Sequence, residues 1–220
     1  MIIDLGMTGY EECYKVQREF CNRRKLGEIA DSLIIAEHMP VFTLGRLAKE
    51  ENLLVDRETL KSQGIKVLDV DRGGDVTFHG PGQIVLYPIL NLKERKTDLH
   101  RYMRDIEEGV LTFLKYYAVS GHRINGRTGV WVGDRKISFI GIAARDWITY
   151  HGVSINIDVD LRFFSMIRPC GLSGIKVANL NTVSAKPVLL ADAKHRIASC
   201  FADIFGLKSE DYRGKLPTLA

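Results

Sequence analysis

Residues 98–118 constrain the fold of this chain more than any other stretch. Leu99, Tyr102, Met103, Ile106, Val110, Phe113, Leu114 and Tyr117 recur at helical spacing and trace one face, behind Thr97 or Asp98 as a cap. An amphipathic helix of that kind is stable only when its stripe is covered by an apolar layer. The remaining sequence supplies the layer as short strands. Ser32-Leu33-Ile34-Ile35-Ala36 and Val41-Phe42-Thr43-Leu44 are apolar runs joined by a turn at Pro40. Residues 66–70 and 83–87 flank a glycine-rich segment, and 129–132, 136–143 and 147–157 read as three further strands. Thr8 and Glu11 form a capping-box pattern opening a first helix, with Tyr10, Cys13, Tyr14 and Phe20 inward. A last helix spans about 192–205, with Ile197, Phe201 and Ile204 inward and Gly206 as its stop. No repeat, linker or low-complexity stretch divides the 220 residues. The expectation is one domain over 1–220, of α/β class in the mixed (α+β) sense, with a mixed sheet flanked by helices.

Charge and cysteine usage remove several function classes. A formal net charge of +4 with no long basic run, and no helix-turn-helix or RNP-like pattern, argues against a nucleic-acid binder. No run reaches the roughly 18 apolar residues of a membrane span. The start Met1-Ile2-Ile3-Asp4 lacks a basic stretch followed by a long apolar one. A cytoplasmic protein with no membrane contact is expected. Cys13, Cys21, Cys170 and Cys200 form no C-x-x-C pair and no zinc spacing, so reduced thiols and no metal site are expected. Cys13, Cys21 and Cys200 fall in amphipathic helices and read as core residues. Cys170 differs, because Pro169 and Gly171 place it on a loop, where catalytic groups concentrate. Its bland alternative is a small buried hydrophobe.

The segment Arg72-Gly73-Gly74-Asp75-Val76-Thr77-Phe78-His79-Gly80-Pro81-Gly82-Gln83 holds four glycines in twelve positions. Such a backbone can bring N–H donors close to a carbonyl or phosphate oxygen. It lacks the Gly-Lys-Ser/Thr end of a Walker loop and the Rossmann spacing. On its own it reads equally as a tight connection between strands.

The same segment resembles the signature of the octanoyltransferases of lipoate biosynthesis, the LipB family. Three more stretches match in order: 37–46 (Glu37-His38-Met39-Pro40 through Gly45-Arg46), then Gly129-Val130-Trp131-Val132 with Lys136-Ile137. The third comprises Trp147 through Gly152, then Asn156, and finally Arg168-Pro169-Cys170-Gly171. The resemblance implies the biotin/lipoyl protein ligase fold. It implies transfer of octanoyl from acyl carrier protein to a lysine of lipoyl domains of dehydrogenase complexes, or of glycine cleavage H protein. It also implies an acyl-enzyme on Cys170, Lys136 as its catalytic partner, and no ATP. An acyl slot is implied, walled by Arg72, Gly73, Gly74, Asp75, Val76, Thr77, Phe78 and His79. Phe139, Ile140 and Gly141, with Gly152, Val153 and Ser154, complete the wall, and His151 supports it beside His38. One departure stands out: Val177-Ala178-Asn179-Leu180 replaces the family's Val-Thr-Ser-Leu or Val-Thr-Ser-Met.

Chemistry is consistent with this reading. A covalent intermediate divides acyl transfer into two easier steps, and the attacking atom must be a thiolate. An ammonium at about 4 Å, at an effective dielectric near 20, attracts a thiolate by roughly 4 kcal/mol before desolvation. Lys136 opens the apolar run Ile137-Ser138-Phe139-Ile140-Gly141, where it can act as a base; without the resemblance it reads as a solvated turn lysine. Amides of residues 74–77, and those of Gly141 or Gly171, are candidate oxyanion donors. Six methylenes at about 0.8 kcal/mol each contribute roughly 5 kcal/mol of selection for a medium chain. Two alternatives remain open: an ATP-dependent lipoate– or biotin–protein ligase of the same fold, and a non-catalytic module binding lipoyl domains or acyl carriers.

Overall fold

The computed structural model describes residues 1–169, 174–207 and 212–213. Its first element, β1 (Ile2–Thr8), has no counterpart in the sequence reading, because Asp4 and Gly6 interrupt the apolar run. Asp4 accepts the Gly6 N–H at 2.8 Å, and the strand register shifts between Asp4 and Met7 around Gly6 at φ 64°. A bulge thus absorbs both residues. α1 (Tyr10–Lys25) follows Gly9 with no side-chain cap. The expected capping box is absent because Thr8 closes β1. Tyr10, Cys13 and Phe20 are buried as expected, and Tyr14 is half-buried.

β2 (Ser32–His38) runs parallel to β1, but β3 (Val41–Leu44) leaves that sheet. It pairs with β4 (Lys66–Asp69) and β5 (Val76–His79) in a separate three-stranded sheet. The two apolar runs around Pro40 therefore belong to different layers. Between β3 and β4 lies α2 (Arg57–Ser62), also unforeseen, whose first turn is capped by Asp56 accepting the Thr59 N–H. β6 (Gln83–Ile89) returns antiparallel to β2. α3 (Leu99–Lys115) is the helix expected at 98–118, with Asp98 accepting the Arg101 N–H.

β7 (His122–Ile124), β8 (Arg127–Val132), β9 (Arg135–Arg145) and β10 (Ile148–Asn156) then meander back to β6. Asp146 and Trp147 both have positive φ, the pattern of a type I′ hairpin turn. Trp147 therefore sits in the turn, one residue before the strand expected to start there. β11 (Lys176–Val177) lies parallel to β9, followed by α4 (Leu180–Val183) and α5 (Leu190–Phe205). Gly206 ends α5 in the left-handed region at φ 59°. β12 (Tyr212–Arg213) pairs with β1. Among the described residues the large sheet has the order β12-β1-β2-β6-β10-β9-β8-β7, with β11 added beside β9.

Three layers cover this sheet. α3 and α5 bury one face, where Ile106, Val110 and Phe201 meet Leu33, Leu86 and Val153. α1 covers part of the other, packing Cys13 and Phe20 on Ile34, Val85 and Tyr150. The small sheet covers the rest through Phe42 and Phe78, with Phe139 of β9 in the same cluster. The mixed sheet between helices agrees with the expected class, and its crevice under the small sheet is where the cavities lie.

Candidate functional site

The glycine-rich segment is half strand. Residues 76–79 form β5, and only Arg72 to Asp75 curl across β9. There the Gly73 N–H donates to the Ile142 carbonyl at 2.8 Å. The crossing needs missing side chains: a Cβ at Gly141 would stand 2.9 Å from the Gly73 oxygen, and one at Gly45 would stand 2.4 Å from that of Gly74. Arg72, read as a substrate contact, bolts this loop to β3. Its Nε and Nη2 donate to Thr43 Oγ1 at 3.1 and 2.9 Å, and Nη1 donates to the Gly73 carbonyl at 3.0 Å. Gly73 and Val76 N–H groups are occupied, the latter by the Asp75 carboxylate at 2.6 Å. The Gly74 and Asp75 amides donate to no acceptor among the described residues.

Beneath the loop lies a narrow cavity. β9 contributes Phe139, Ile140 and Gly141 to its wall, and β10 contributes Gly152, Val153 and Ser154. Gly74, Asp75, Val76, Thr77 and His79 form the opposite side, bordered by Arg72 and His151. Two expected wall residues face elsewhere. Side chains alternate along a strand, so Phe78 turns away from the cavity onto Phe42 and stacks on Phe163 at 4.4 Å. Gly73 lines a neighbouring cleft instead.

That cleft is also lined by Trp131, Lys136 and Ile142, and it shares Gly74, Asp75, Ile140 and Gly141 with the cavity. Lys136 is only 3% exposed. Its Nζ lies 4.8 Å from the Trp131 ring centre and 4.9 Å from that of Phe139, so the solvated-turn alternative is overturned. Gly129 permits this packing, since a Cβ there would stand 2.9 Å from Lys136 Cε. The Gly129 N–H donates to buried Glu107 at 3.1 Å, which Arg104 and Arg123 hold at 2.7 and 2.9 Å.

Cys170 and Gly171 lie outside the described residues. The described chain on either side is anchored. Arg168 N–H donates to the Asn52 carbonyl at 2.8 Å, and Val177 pairs with Lys136, whose carbonyl accepts the Ala178 N–H at 3.0 Å. At the departure from the family pattern, Asn179 accepts from the Val159 N–H at 3.2 Å and donates to the Val159 carbonyl at 2.7 Å. The other three cysteines are buried, as read. Burial pushes Cys13 and Cys21 up to about 12 and Cys200 up to about 11, keeping each a thiol.

Away from the cleft, the cavity ends in hydrogen-bonded rings that sequence reasoning missed except for their histidines. The His38 ring donates through Nδ1 to the Thr8 carbonyl at 3.0 Å and accepts the Tyr87 hydroxyl at Nε2 at 2.6 Å. His79 Nδ1 donates to Gln83 Oε1 at 2.7 Å. His151 Nε2 donates to Asp71 at 2.7 Å, leaving Nδ1 to accept from the Tyr10 hydroxyl at 3.3 Å. Burial lowers the pKa of all three histidines, His38 to about 4 and His79 well below the ordinary value. Asp71, which also accepts from Tyr14 and Tyr150, is held well below the usual carboxylate range, chiefly by the His151 bond. His151 adopts φ 54°, strained for a residue with a Cβ, and its N–H is pinned by Gln17 Oε1 at 2.9 Å. Tyr10 reads in sequence only as a helix-face residue. Asp71 had a signal in its position just before Arg72.

Among the described residues no three His, Cys, Asp or Glu side chains converge as metal ligands, and no helix is long and apolar enough to cross a membrane.

Comparison with known proteins agrees with this architecture. A family profile described as "Lipoyl protein ligase A/B catalytic domain" matches residues 9–202. The octanoyltransferase of Rubrobacter xylanophilus is 44% identical over 203 residues, covering 91% of each chain. That of Syntrophotalea carbinolica is 40% identical, covering 92% of this chain and 93% of its own. Among solved structures, a bipartite lipoate protein ligase from Thermoplasma acidophilum superposes with a TM-score of 0.75 at 16% identity, over 99% of this chain and 87% of that one. The biotin protein ligase of Aquifex aeolicus superposes at 0.52 and 12% identity, over 96% and 71%. At such low identity these structures speak for the biotin/lipoyl ligase fold alone.

Proposed function

Because the chain belongs to the lipoyl protein ligase A/B catalytic-domain family, alongside octanoyltransferases, we propose that it takes octanoyl from acyl carrier protein and delivers it to a lysine of a lipoyl-domain protein through a thioester on Cys170. The single observation that carries this reading is the pairing of two spaces across one neck. A largely apolar cavity suits a tail, and an adjoining cleft presents Lys136. Gly74, Asp75, Ile140 and Gly141 lie between them, where a thioester carbonyl would sit.

In the first half-reaction Lys136 takes the Cys170 proton, and the thiolate attacks the donor carbonyl. The Gly74 and Asp75 amides stabilise the oxyanion. The carbon–sulfur bond to the carrier then breaks, and the departing carrier thiolate takes up the proton. In the second, the acceptor amine attacks, a carbon–nitrogen bond forms, the bond to Cys170 breaks and the amine proton passes through Lys136 to the departing Cys170 thiolate. Pairing of Val177 with Lys136 supports this partnership, because it brings the chain seven residues after Cys170 onto the strand that carries the amine. The reaction needs no nucleotide and no metal, and the protein acts in the cytoplasm.

Intact-mass spectrometry after mixing with octanoyl-acyl carrier protein tests the reading. Wild type gains one octanoyl group and Cys170→Ser gains none. An unmodified wild type, or formation of octanoyl-AMP from ATP and octanoate, would overturn it.

A further inference from the structure

Among the described residues, Tyr10 alone lines both the cavity and a separate open groove on the surface. The groove runs past Tyr14, Lys15, Leu68 and Val70 on the outer side of α1 and β4. Tyr10 is itself only 5% exposed, so its ring closes the partition between the two spaces. The ring is fixed from three directions. It stacks on His79 with centroids 5.6 Å apart, tilts against His38 at 5.2 Å, and is hydrogen-bonded through its hydroxyl to His151. His151 is in turn held by Asp71, which lines the outer groove. Tyr10 takes no part in the neck shared with the Lys136 cleft; it lies instead where the cavity borders the outer groove.

We propose that Tyr10 is the specificity-determining end stop of the acyl slot, setting the longest chain accepted, with Asp71 and His151 as positioning residues behind it. The inference rests on the tail reading of the cavity given above. A saturated chain entering past the neck extends until its methyl end meets the Tyr10 ring. Longer chains would have to displace a ring clamped by two histidines. Removing the ring opens the slot into the surface groove, whose Leu68 and Val70 offer apolar cover for additional methylenes.

The test is the acylation rate of the full chain with six-, eight-, ten-, twelve- and fourteen-carbon acyl-carrier thioesters, read by intact mass. Tyr10→Ala raises the ratio of twelve-carbon to eight-carbon rates by at least about tenfold. Tyr10→Trp, which narrows the same end, lowers the eight-carbon to six-carbon ratio. Lys15→Ala, in the outer groove only, leaves the profile as in wild type. If Tyr10→Ala is poorly folded, Tyr10→Leu and Tyr10→Trp still move the cutoff in opposite directions. Identical length profiles in wild type and every folded Tyr10 variant would overturn the end stop. A wild type that no thioester acylates would instead overturn the transfer reading itself.

Discussion

Lys136 shows how strongly one side chain depends on its neighbours. Its amine is enclosed by Trp131 and Phe139 and sits on a strand whose partner lacks a side chain at Gly129. Methionine has nearly the same length and needs no polar partner. Lys136→Met is therefore expected to fold with an unchanged or higher melting temperature, yet to lose about 10²–10⁴-fold in the rate of Cys170 acylation. Loss of folding together with activity would show a structural role only. Gly141 offers a second residue-level test. A methyl group there meets the Arg72 side chain and the Gly73 carbonyl at 2.9 Å each, and backbone cannot yield cheaply. Gly141→Ala should displace the loop that carries the Gly74 and Asp75 amides. Losing one such donor costs about 3–4 kcal/mol of transition-state stabilisation, so acylation should slow roughly 10²-fold or more in single-turnover measurements.

At the level of elements, the segment after residue 174 is held to the sheet by β11 and by Asn179. Asn179 satisfies both the N–H and the carbonyl of buried Val159. Asn179→Ala leaves both unpaired and should cost about 2–3 kcal/mol. For a protein this size that lowers the melting temperature by roughly 4–12 °C. Asn179→Ser, nearer the related enzymes' pattern, should fall between, and thermal unfolding of the three proteins measures the order. The glycine-rich segment carries the complementary lesson. Its glycines are legible as a close backbone approach, yet β5 within it is not, because Val76-Thr77-Phe78-His79 becomes a strand only by pairing with β3. The same tertiary pairing turned Phe78 into the core of the small sheet and left Thr77 and His79 facing the cavity.

For the whole molecule, three buried histidines set the response to acid. An unfolded chain binds protons at histidine as pH falls through about 6.5, whereas burial keeps the folded His38 neutral down to about 4. The unfolded state therefore holds more protons across this window, so stability is complete above pH 6.5 and declines as pH falls towards 4. His38 alone contributes about 3 kcal/mol to that decline, and His79 and His151 act in the same direction. Denaturant unfolding at pH 7.5, 6, 5 and 4.5 should show a steadily falling midpoint, with a shallower slope in His38→Gln. A flat profile from pH 7.5 to 4.5 would contradict burial of these rings.

Sequence by itself determined the longer amphipathic helices, the apolar strands and the close backbone approaches at glycine, because each depends on local periodicity or on the absence of a side chain. It could not assign β3 to a second sheet, bury Lys136 between two rings, or join Tyr10 to His151 across 141 positions and His151 to Asp71 across 80. Those outcomes depend on which apolar faces meet. That is decided by the packing of layers, where solvent exclusion gives a lysine or a histidine its character.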